Sequence, residues 1–367
     1  MYPALAVVEE LRAAGTSHIP LERAGAEGLA GLEAVLYVGT AGGLEADIAA
    51  KAGVPFRAIR AAGLHGFSLA RKLANGFEML TGTVQSRRIL GLFQPDVVLA
   101  TGGYASAPVV MAAWLLSCPV LIYLPDIVPG LAVRFLSRFA RCVAVSFDST
   151  VKYFPPGKAL TTGYPARPVL YKVQKGEARQ RLGLSPKEKT LLVFGGSRGA
   201  HSINVAVHEG LEDLLDLAQV IHITGEADAD WLRKRQEGLP TDYARRYRCH
   251  VYLHEEMADA LGAADLAVAR AGAATMGEFA AVGLPSILVP YPHAGRHQEA
   301  NADFMVACGA ARKLSDDELA HAALPVSVAQ LLGDEATLRC MSESAKRLAR
   351  PDAARAIAQQ LARLSGG

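Results

Sequence analysis

Short runs of β-branched and other apolar residues alternate along this chain with longer stretches whose apolar positions recur every three or four residues. The runs are Ala34–Val38, Asp96–Thr101, Val120–Leu124 and Cys142–Phe147, then Thr190–Phe194, Gln219–Thr224, Asp265–Ala269 and Ser286–Val289. Strands that alternate with helical patterns predict parallel sheets covered by helices. Because the runs are almost uniformly apolar, both faces of each sheet are expected to be buried. The long uncharged stretch from Val97 to Pro125 reads as strand, turn, helix and strand, since Gly102, Gly103, Pro108 and Pro119 divide it into pieces too short to span a bilayer.

Between Lys152 and Lys189 the apolar pattern lapses. Pro155, Pro156, Gly157, Pro165, Pro168 and the charged run KGEARQRLGLSPKEK leave little to bury, and the segment reads as a linker between two α/β domains. A chain of 367 residues also fits two domains at about 150 residues each.

One helical pattern is unusual. Leu69, Leu73, Phe77, Leu80 and Val84 form a single apolar stripe flanked by Arg71, Lys72, Arg87 and Arg88, in a region, Ala49 to Pro95, with seven basic residues and one acidic. Such a helix either lies on an anionic membrane surface or turns its stripe to the core and its charges to water.

The remaining composition narrows the class. Apolar residues at 51% and charged residues at 20% exclude a disordered, collagenous or coiled-coil chain. A net charge of +2 gives no basis for nucleic-acid binding across the surface. The five cysteines, Cys118, Cys142, Cys249, Cys308 and Cys340, form no CxxC pair, which fits a reducing compartment and supports neither a zinc site nor a disulfide framework. The first fifteen residues have no basic leader, and Glu9 and Glu10 interrupt what would be the apolar core of a signal peptide.

Three glycine-bearing segments follow predicted strands: Thr101-Gly102-Gly103-Tyr104, Gly195-Gly196-Ser197-Arg198-Gly199-Ala200, and Arg270-Ala271-Gly272-Ala273-Ala274-Thr275-Met276-Gly277-Glu278. Ligands of open parallel sheets bind at the carboxyl ends of strands, where glycines let main-chain amides approach a phosphate. None of the three matches a dinucleotide or Walker fingerprint. Glu278, one helical turn past the third segment, suits the hydroxyls of a ribose. Arg296, His297, Gln298, Glu299 and Asn301 form a polar cluster suited to a sugar.

The segments RAGAATMGEFAAVGLPSILVPYPHAGRHQEANA, GGSRGAHSIN, TGGYASAP and GTAGGLEADIAAKAG together resemble the MurG family of peptidoglycan lipid-intermediate N-acetylglucosaminyltransferases. The resemblance runs from Tyr2 nearly to the C-terminus. It implies a GT-B fold, two Rossmann-like doubly wound domains facing a cleft, with an acceptor domain over residues 1–163 and a UDP-sugar domain over residues 164–367, whose last helix is a candidate to pack back on the first. It implies inverting transfer of N-acetylglucosamine from UDP-N-acetylglucosamine to an undecaprenyl-linked muramyl-pentapeptide, at the cytoplasmic face of the cell membrane, without a metal cofactor. The membrane-facing element would be the Leu69–Val84 helix.

Residue by residue, the resemblance places Ser197 on the diphosphate and Arg167 on the nucleotide. It places the main chain of His254 on the uracil, Gly272, Ala273, Ala274, Thr275 and Met276 around phosphates and ribose, Glu278 on the ribose hydroxyls, and Gln298, with its neighbour His297, on the sugar. Gly102, Gly103 and Tyr104 would face the acceptor. Two departures stand out. The family's first glycine-rich loop, with its candidate base histidine, is absent ahead of Tyr2-Pro3, so a truncated first domain without its first strand is expected and the base is unassigned. Tyr123-Leu124-Pro125-Asp126 replaces the family's HEQN, which makes Asp126 an acceptor-side residue and a candidate for activating the hydroxyl. A related transferase with another glycolipid acceptor, and a nucleotide-sugar binder without turnover, are the alternative readings.

Overall fold

The computed structural model describes residues 2–13, 35–40, 44–62, 69–196, 199–292, 297–319 and 323–366. The chain divides into two compact units: Met1–Pro165 with Asp352–Gly367, and Ala166–Pro351.

The first unit holds strands β1 (Tyr37–Thr40), β2 (Phe56–Ile59), β3 (Val98–Ala100), β4 (Val120–Leu124), β5 (Cys142–Val145) and β6 (Ala159–Thr161). Its helices are α1 (Tyr2–Ala13), α2 (Leu44–Lys51), α3 (Leu69–Phe93), α4 (Ser106–Leu115), α5 (Leu131–Leu136) and α6 (Asp148–Val151), with α18 (Ala353–Ser365) from the far end of the chain. The strands form two parallel sheets, β1-β2 and β3-β4-β5-β6. In β4 all five residues of VLIYL are buried, because the sheet is covered on both sides. Val110, Ala113, Val133, Leu136 and Leu90 pack on one face. On the other, Ala6 and Val7 of α1 meet Ile357 and Leu361 of α18 over Leu121, Tyr123 and Ala144.

Helix α3 lies close to its neighbours at Gly82, where a Cβ would stand 1.9 Å from the Arg60 carbonyl oxygen. Ser86 and Leu90 are buried, whereas Phe77, Leu80 and Val84 are 68%, 69% and 70% exposed. The part of the apolar stripe from Phe77 to Val84 therefore faces outward. The side chains of Leu69 to Ala74 lie outside the described residues.

The second unit carries β7 (Thr190–Phe194), β8 (Gln219–Ile223), β9 (Tyr247–His250), β10 (Leu266–Ala269), β11 (Ser286–Leu288) and β12 (Ala311–Lys313) in one parallel sheet of order β12-β11-β10-β7-β8-β9. Its helices are α7 (Lys175–Arg181), α8 (His201–Glu209), α9 (Leu211–Leu217), α10 (Ala229–Glu237), α11 (Thr241–Arg246), α12 (Met257–Ala263), α13 (Ala273–Val282), α14 (His297–Ala307), α15 (Asp316–Leu319), α16 (Ala323–Leu332) and α17 (Glu335–Leu348). Strands β7, β8 and β10 are buried along their whole length. α13 ends at Gly283, whose left-handed φ of 68° lets Leu284 N donate back to Phe279 O at 2.9 Å.

The boundary between the two units, Pro165–Ala166, falls inside the Lys152–Lys189 segment, but the segment is folded rather than bare. It contributes β6 to the first sheet and α7 to the second unit. Its charges are paired: Lys175 with Asp265 at 2.9 Å, Arg179 with Asp265 at 2.5 Å, and Arg181 with Asp259 at 2.7 Å. Arg179 also donates to the Ala263 carbonyl at 3.1 Å, so a nearly buried cation docks α7 where the composition offers few apolar residues.

Candidate active site

Two turns rich in glycine leave the second sheet side by side, after β7 and after β10, whose ends are in register at Phe194 and Ala269. In the first, Gly195 is forced by packing, since a Cβ there would stand 2.2 Å from Ala200 N. Gly196 and Gly199 hold φ of 98° and 77°, and Gly199 N donates to Gly196 O at 3.0 Å to close the turn. A Cβ on Gly199 would stand 2.2 Å from Thr224 O. Ser197 and Arg198, at the tip, lie outside the described residues.

The floor beneath that turn is polar and fully bonded. Asn204 donates to Thr224 O at 2.9 Å and to Asp228 Oδ2 at 2.7 Å, and its own oxygen accepts from His222 Nε2 at 3.0 Å. His222 Nδ1 then accepts from Tyr247 at 2.8 Å. Burial lowers the His222 pKa to about 3, against the pull of Asp228, so the ring is neutral and the network rigid. Nothing in the local sequence marked these residues, because their roles arise only when α8, β8 and β9 meet.

The second turn opens α13. Gly272 is extended at φ −73°, ψ 157°, and no side chain caps the helix. Met276 N bonds back to Gly272 O at 3.2 Å, so the three earlier amides, Ala273, Ala274 and Thr275, head the helix without an intrahelical partner. Ala274 is exposed, while Thr275 and Met276 are buried. Partial positive charge thus gathers at the end of β10.

Glu278 lies one turn further into α13. Its Oε1 is 3.9 Å from Nη2 of Arg167, which precedes the 3-10 turn Pro168–Tyr171. Burial pushes the Glu278 carboxyl above its ordinary pKa, and the Arg167 guanidinium pulls it partly back. A mostly buried acid and a guanidinium therefore stand together beside a run of free amides. This arrangement can hold vicinal hydroxyls and an adjoining phosphate.

The polar cluster of the segment after β11 is less uniform than its composition suggests. Gln298, in the first turn of α14, accepts from Tyr291 N at 2.9 Å. Asn301 is wholly buried and donates to Ala271 O at 3.0 Å, and Glu299 pairs with Lys313 at 2.7 Å. These last two contacts hold α14 in place. His297 begins α14, and Arg296 lies outside the described residues. His254 follows β9, which β7 and β8 separate from β10, with an exposed ring edge-on to Tyr252 at 4.7 Å.

In the first unit, Gly102 (φ 82°) and Gly103 (φ 78°) follow β3, with Tyr104 exposed. Ser106 Oγ donates to Gly102 O at 2.5 Å. Asp126 is half-buried just past the end of β4. β3 and β4 are adjacent and parallel, so both acceptor-side candidates leave the same end of one sheet. His65, in the GLHGFS loop, is a further histidine that the sequence offers as a candidate, though it reads better as a surface residue, and it lies outside the described residues.

Two Rossmann-like units with glycine turns at their strand ends are the architecture of the GT-B glycosyltransferases, and comparison with known proteins places the chain among them. Solved structures agree: MurG of Acinetobacter baumannii matches at a TM-score of 0.72, with 27% identity, over 99% of this chain and 95% of that one. The calicheamicin glycosyltransferase CalG4 shares the fold at a TM-score of 0.68 and 16% identity, over 100% of this chain and 95% of that one. The glycosyltransferase family 28 N-terminal domain matches residues 15–145, and the family 28 C-terminal domain residues 190–357. The UDP-N-acetylglucosamine--N-acetylmuramyl-(pentapeptide) pyrophosphoryl-undecaprenol N-acetylglucosamine transferase of Roseiflexus sp. (strain RS-1) is 38% identical over 98% of this chain and 91% of its own length. The enzyme of the same name from Desulforudis audaxviator (strain MP104C) is 37% identical over 100% and 95%. The chain belongs to glycosyltransferase family 28 and, within it, to the MurG family of hexosyltransferases.

The Glu278 carboxyl gives a test with a definite sign. Its pKa is raised on folding, so its contribution to stability is complete below its ordinary pKa of 4.5 and is lost as pH rises through the raised value. Glu278→Gln should make the unliganded protein more resistant to urea at neutral pH, with the difference closing below about pH 4.5. The same substitution should weaken UDP binding by about 1–3 kcal/mol. A variant less stable than its parent at neutral pH, or one with full UDP affinity, contradicts the assignment.

Proposed function

We propose that this chain transfers N-acetylglucosamine, with inversion, from UDP-N-acetylglucosamine to the undecaprenyl-pyrophosphoryl-N-acetylmuramoyl-pentapeptide of peptidoglycan synthesis. The observation that carries this reading is the convergence of the free α13 amides, Glu278 and Arg167 at one strand end, in a chain 38% identical over 98% of its length to a transferase bearing that name.

The acceptor hydroxyl attacks the anomeric carbon, the bond to the UDP oxygen breaks on the opposite face, and negative charge develops on the departing diphosphate. The amides of Ala273, Ala274 and Thr275 and the Arg167 guanidinium stabilise that charge, with Ser197 contributing from the first turn. Glu278 holds the ribose hydroxyls, the main chain at His254 reads the uracil, and Gln298 with His297 orients the sugar. On this reading leaving-group charge is met by the protein's own dipoles and cations, and no metal cofactor is called on. Gly102, Gly103 and Tyr104 receive the acceptor, and Asp126 is the candidate carboxylate for taking its proton.

The acceptor's lipid confines the reaction to the cytoplasmic membrane face, with the protein bound peripherally. Phe77, Leu80 and Val84 point outward from α3, and the exposed Arg87 and Arg88 follow on the same helix. Nearby α4 and α5 expose Trp114 and Phe135, which both meet the ring of Phe139, at 5.2 and 5.3 Å. Apolar side chains rimmed by guanidinium groups suit the boundary between acyl chains and anionic headgroups. No helix among the described residues is long and apolar enough to cross a membrane.

UDP release measured with the undecaprenyl-linked muramyl-pentapeptide, beside simple glycolipids, tests the reaction. Turnover is expected on the former, and turnover confined to the latter would replace it with another acceptor. For the membrane surface, the Leu80→Glu/Val84→Glu double variant should lose about tenfold or more of its binding to anionic vesicles, since burying each aliphatic side chain is worth about 1.5–3 kcal/mol. Undiminished sedimentation with vesicles would exclude this face.

A further inference from the structure

We propose that Arg270 and Tyr291 are positioning residues that hold Gln298, the reader of the donor sugar, in register with the α13 amides. The proposal rests on the donor-site reading above and concerns residues to which that reading gives no role.

Arg270 stands directly after β10 and two residues before Gly272, and it is only 8% exposed. Its Nη1 donates to Asp316 Oδ1 at 2.7 Å and to the carbonyls of Val289 and Pro290 at 3.2 and 3.3 Å. Its Nη2 donates to Ser202 Oγ at 2.8 Å, and Ser202 in turn donates to Asp316 Oδ1 at 3.0 Å. One guanidinium therefore joins the first turn of α8, which follows the Gly195–Ala200 turn, to the head of α13 and to the chain leaving β11. Lysine, a point charge without the planar fork, cannot make this set of bonds.

The connection continues to the sugar side. The Arg270 guanidinium carbon lies 5.3 Å from the centre of the Tyr291 ring, and Tyr291 N donates to Gln298 Oε1 at 2.9 Å. A main-chain N–H must meet an oxygen, so this bond fixes which end of the Gln298 amide is which. Its oxygen is committed to Tyr291, and its NH2 is the end left to meet a ligand hydroxyl. If the Tyr291 main chain shifts, Gln298 shifts with it. The UDP moiety, held by Glu278, Arg167 and the α13 amides, does not depend on Tyr291 or Gln298, the sugar-side half of this relay. Loss of that half should therefore cost sugar positioning while UDP affinity remains.

Tyr291 is partly exposed, so it can be changed without opening the core. The test compares Tyr291→Phe, Tyr291→Ser and Arg270→Lys in the full-length protein, reading kcat/KM with UDP-N-acetylglucosamine and Kd for UDP by calorimetry. Tyr291→Phe keeps the ring over the guanidinium and should stay within about twofold of the parent, whereas Tyr291→Ser should lose about tenfold or more in kcat/KM with Kd for UDP held within about twofold; Arg270→Lys, which also loosens the head of α13, should lose at least as much in kcat/KM. A Tyr291→Ser variant with unchanged kcat/KM overturns the proposal, as does a fall in UDP affinity parallel to the fall in kcat/KM, which would mark general damage to the site. Failure of the unaltered protein to bind UDP would instead overturn the donor-site reading itself.

Discussion

The uncapped amino end of α13 is the feature around which the second unit is arranged. A helix that starts at the end of a buried parallel strand must place its first amides somewhere, and here neither a capping side chain nor a helical carbonyl receives them. The residues around this end are committed to keeping it in place. Gly272 keeps the entry extended, Asn301 takes the Ala271 carbonyl, and Arg270 ties the strand end to α8, α15 and the segment after β11. Glu278 is the counterpart cost: a carboxyl partly stripped of water, steadied by Arg167 but still raised in pKa. The unliganded pocket thus keeps donors without acceptors beside an acid short of donors, the complement of a sugar nucleotide.

The first unit shows a different use of the same strand-and-helix chemistry. Its four-stranded sheet is covered on both faces, and α18 reaches it from the far end of the chain to pack with α1. Helix α3 is two-sided: Gly82, Ser86 and Leu90 face the protein, while Phe77, Leu80 and Val84 face away from it. An amphipathic pattern fixes that a helix has an apolar stripe but does not say which neighbour the stripe meets. Here the small residue Gly82 marks the buried side, because only glycine tolerates the Arg60 carbonyl at that distance.

Much of the sheet architecture was legible in the sequence, since interior parallel strands must be apolar on both faces. The runs read at β3, β4, β5, β7, β8, β10 and β11 contain the observed strands, whereas the first run, read at Ala34–Val38, is displaced against the observed Tyr37–Thr40. The strands that were not read, β2, β6, β9 and β12, each have a single strand neighbour among the described residues. An edge strand needs fewer apolar side chains, and Arg57, Arg248, Arg312 and Lys313 hide three of the four behind a charged pattern. The Lys152–Lys189 segment does hold the boundary between the units, but its folded content was hidden for a related reason: its order comes from ion pairs to Asp259 and Asp265, which lie some eighty residues away and leave no local trace.

The glycine turns and Glu278 were legible because close main-chain approach and a buried acid both restrict residue type. Arg270 was not singled out, although it opens the segment that was, since nothing nearby in sequence shows an arginine to be buried. The cluster from Arg296 to Asn301 looked uniform, but among its described residues Asn301 is a latch, Glu299 one half of a surface pair, and Gln298 and His297 the candidate ligands.

Hydrogen exchange at the head of α13 tests the central claim most directly. Without an intrahelical partner, the amides of Ala273, Ala274 and Thr275 should exchange readily in the unliganded protein and slow by about tenfold or more with saturating UDP, but not with uridine, which lacks the phosphates. Exchange at these amides that is indifferent to UDP, while UDP binds, would contradict the account.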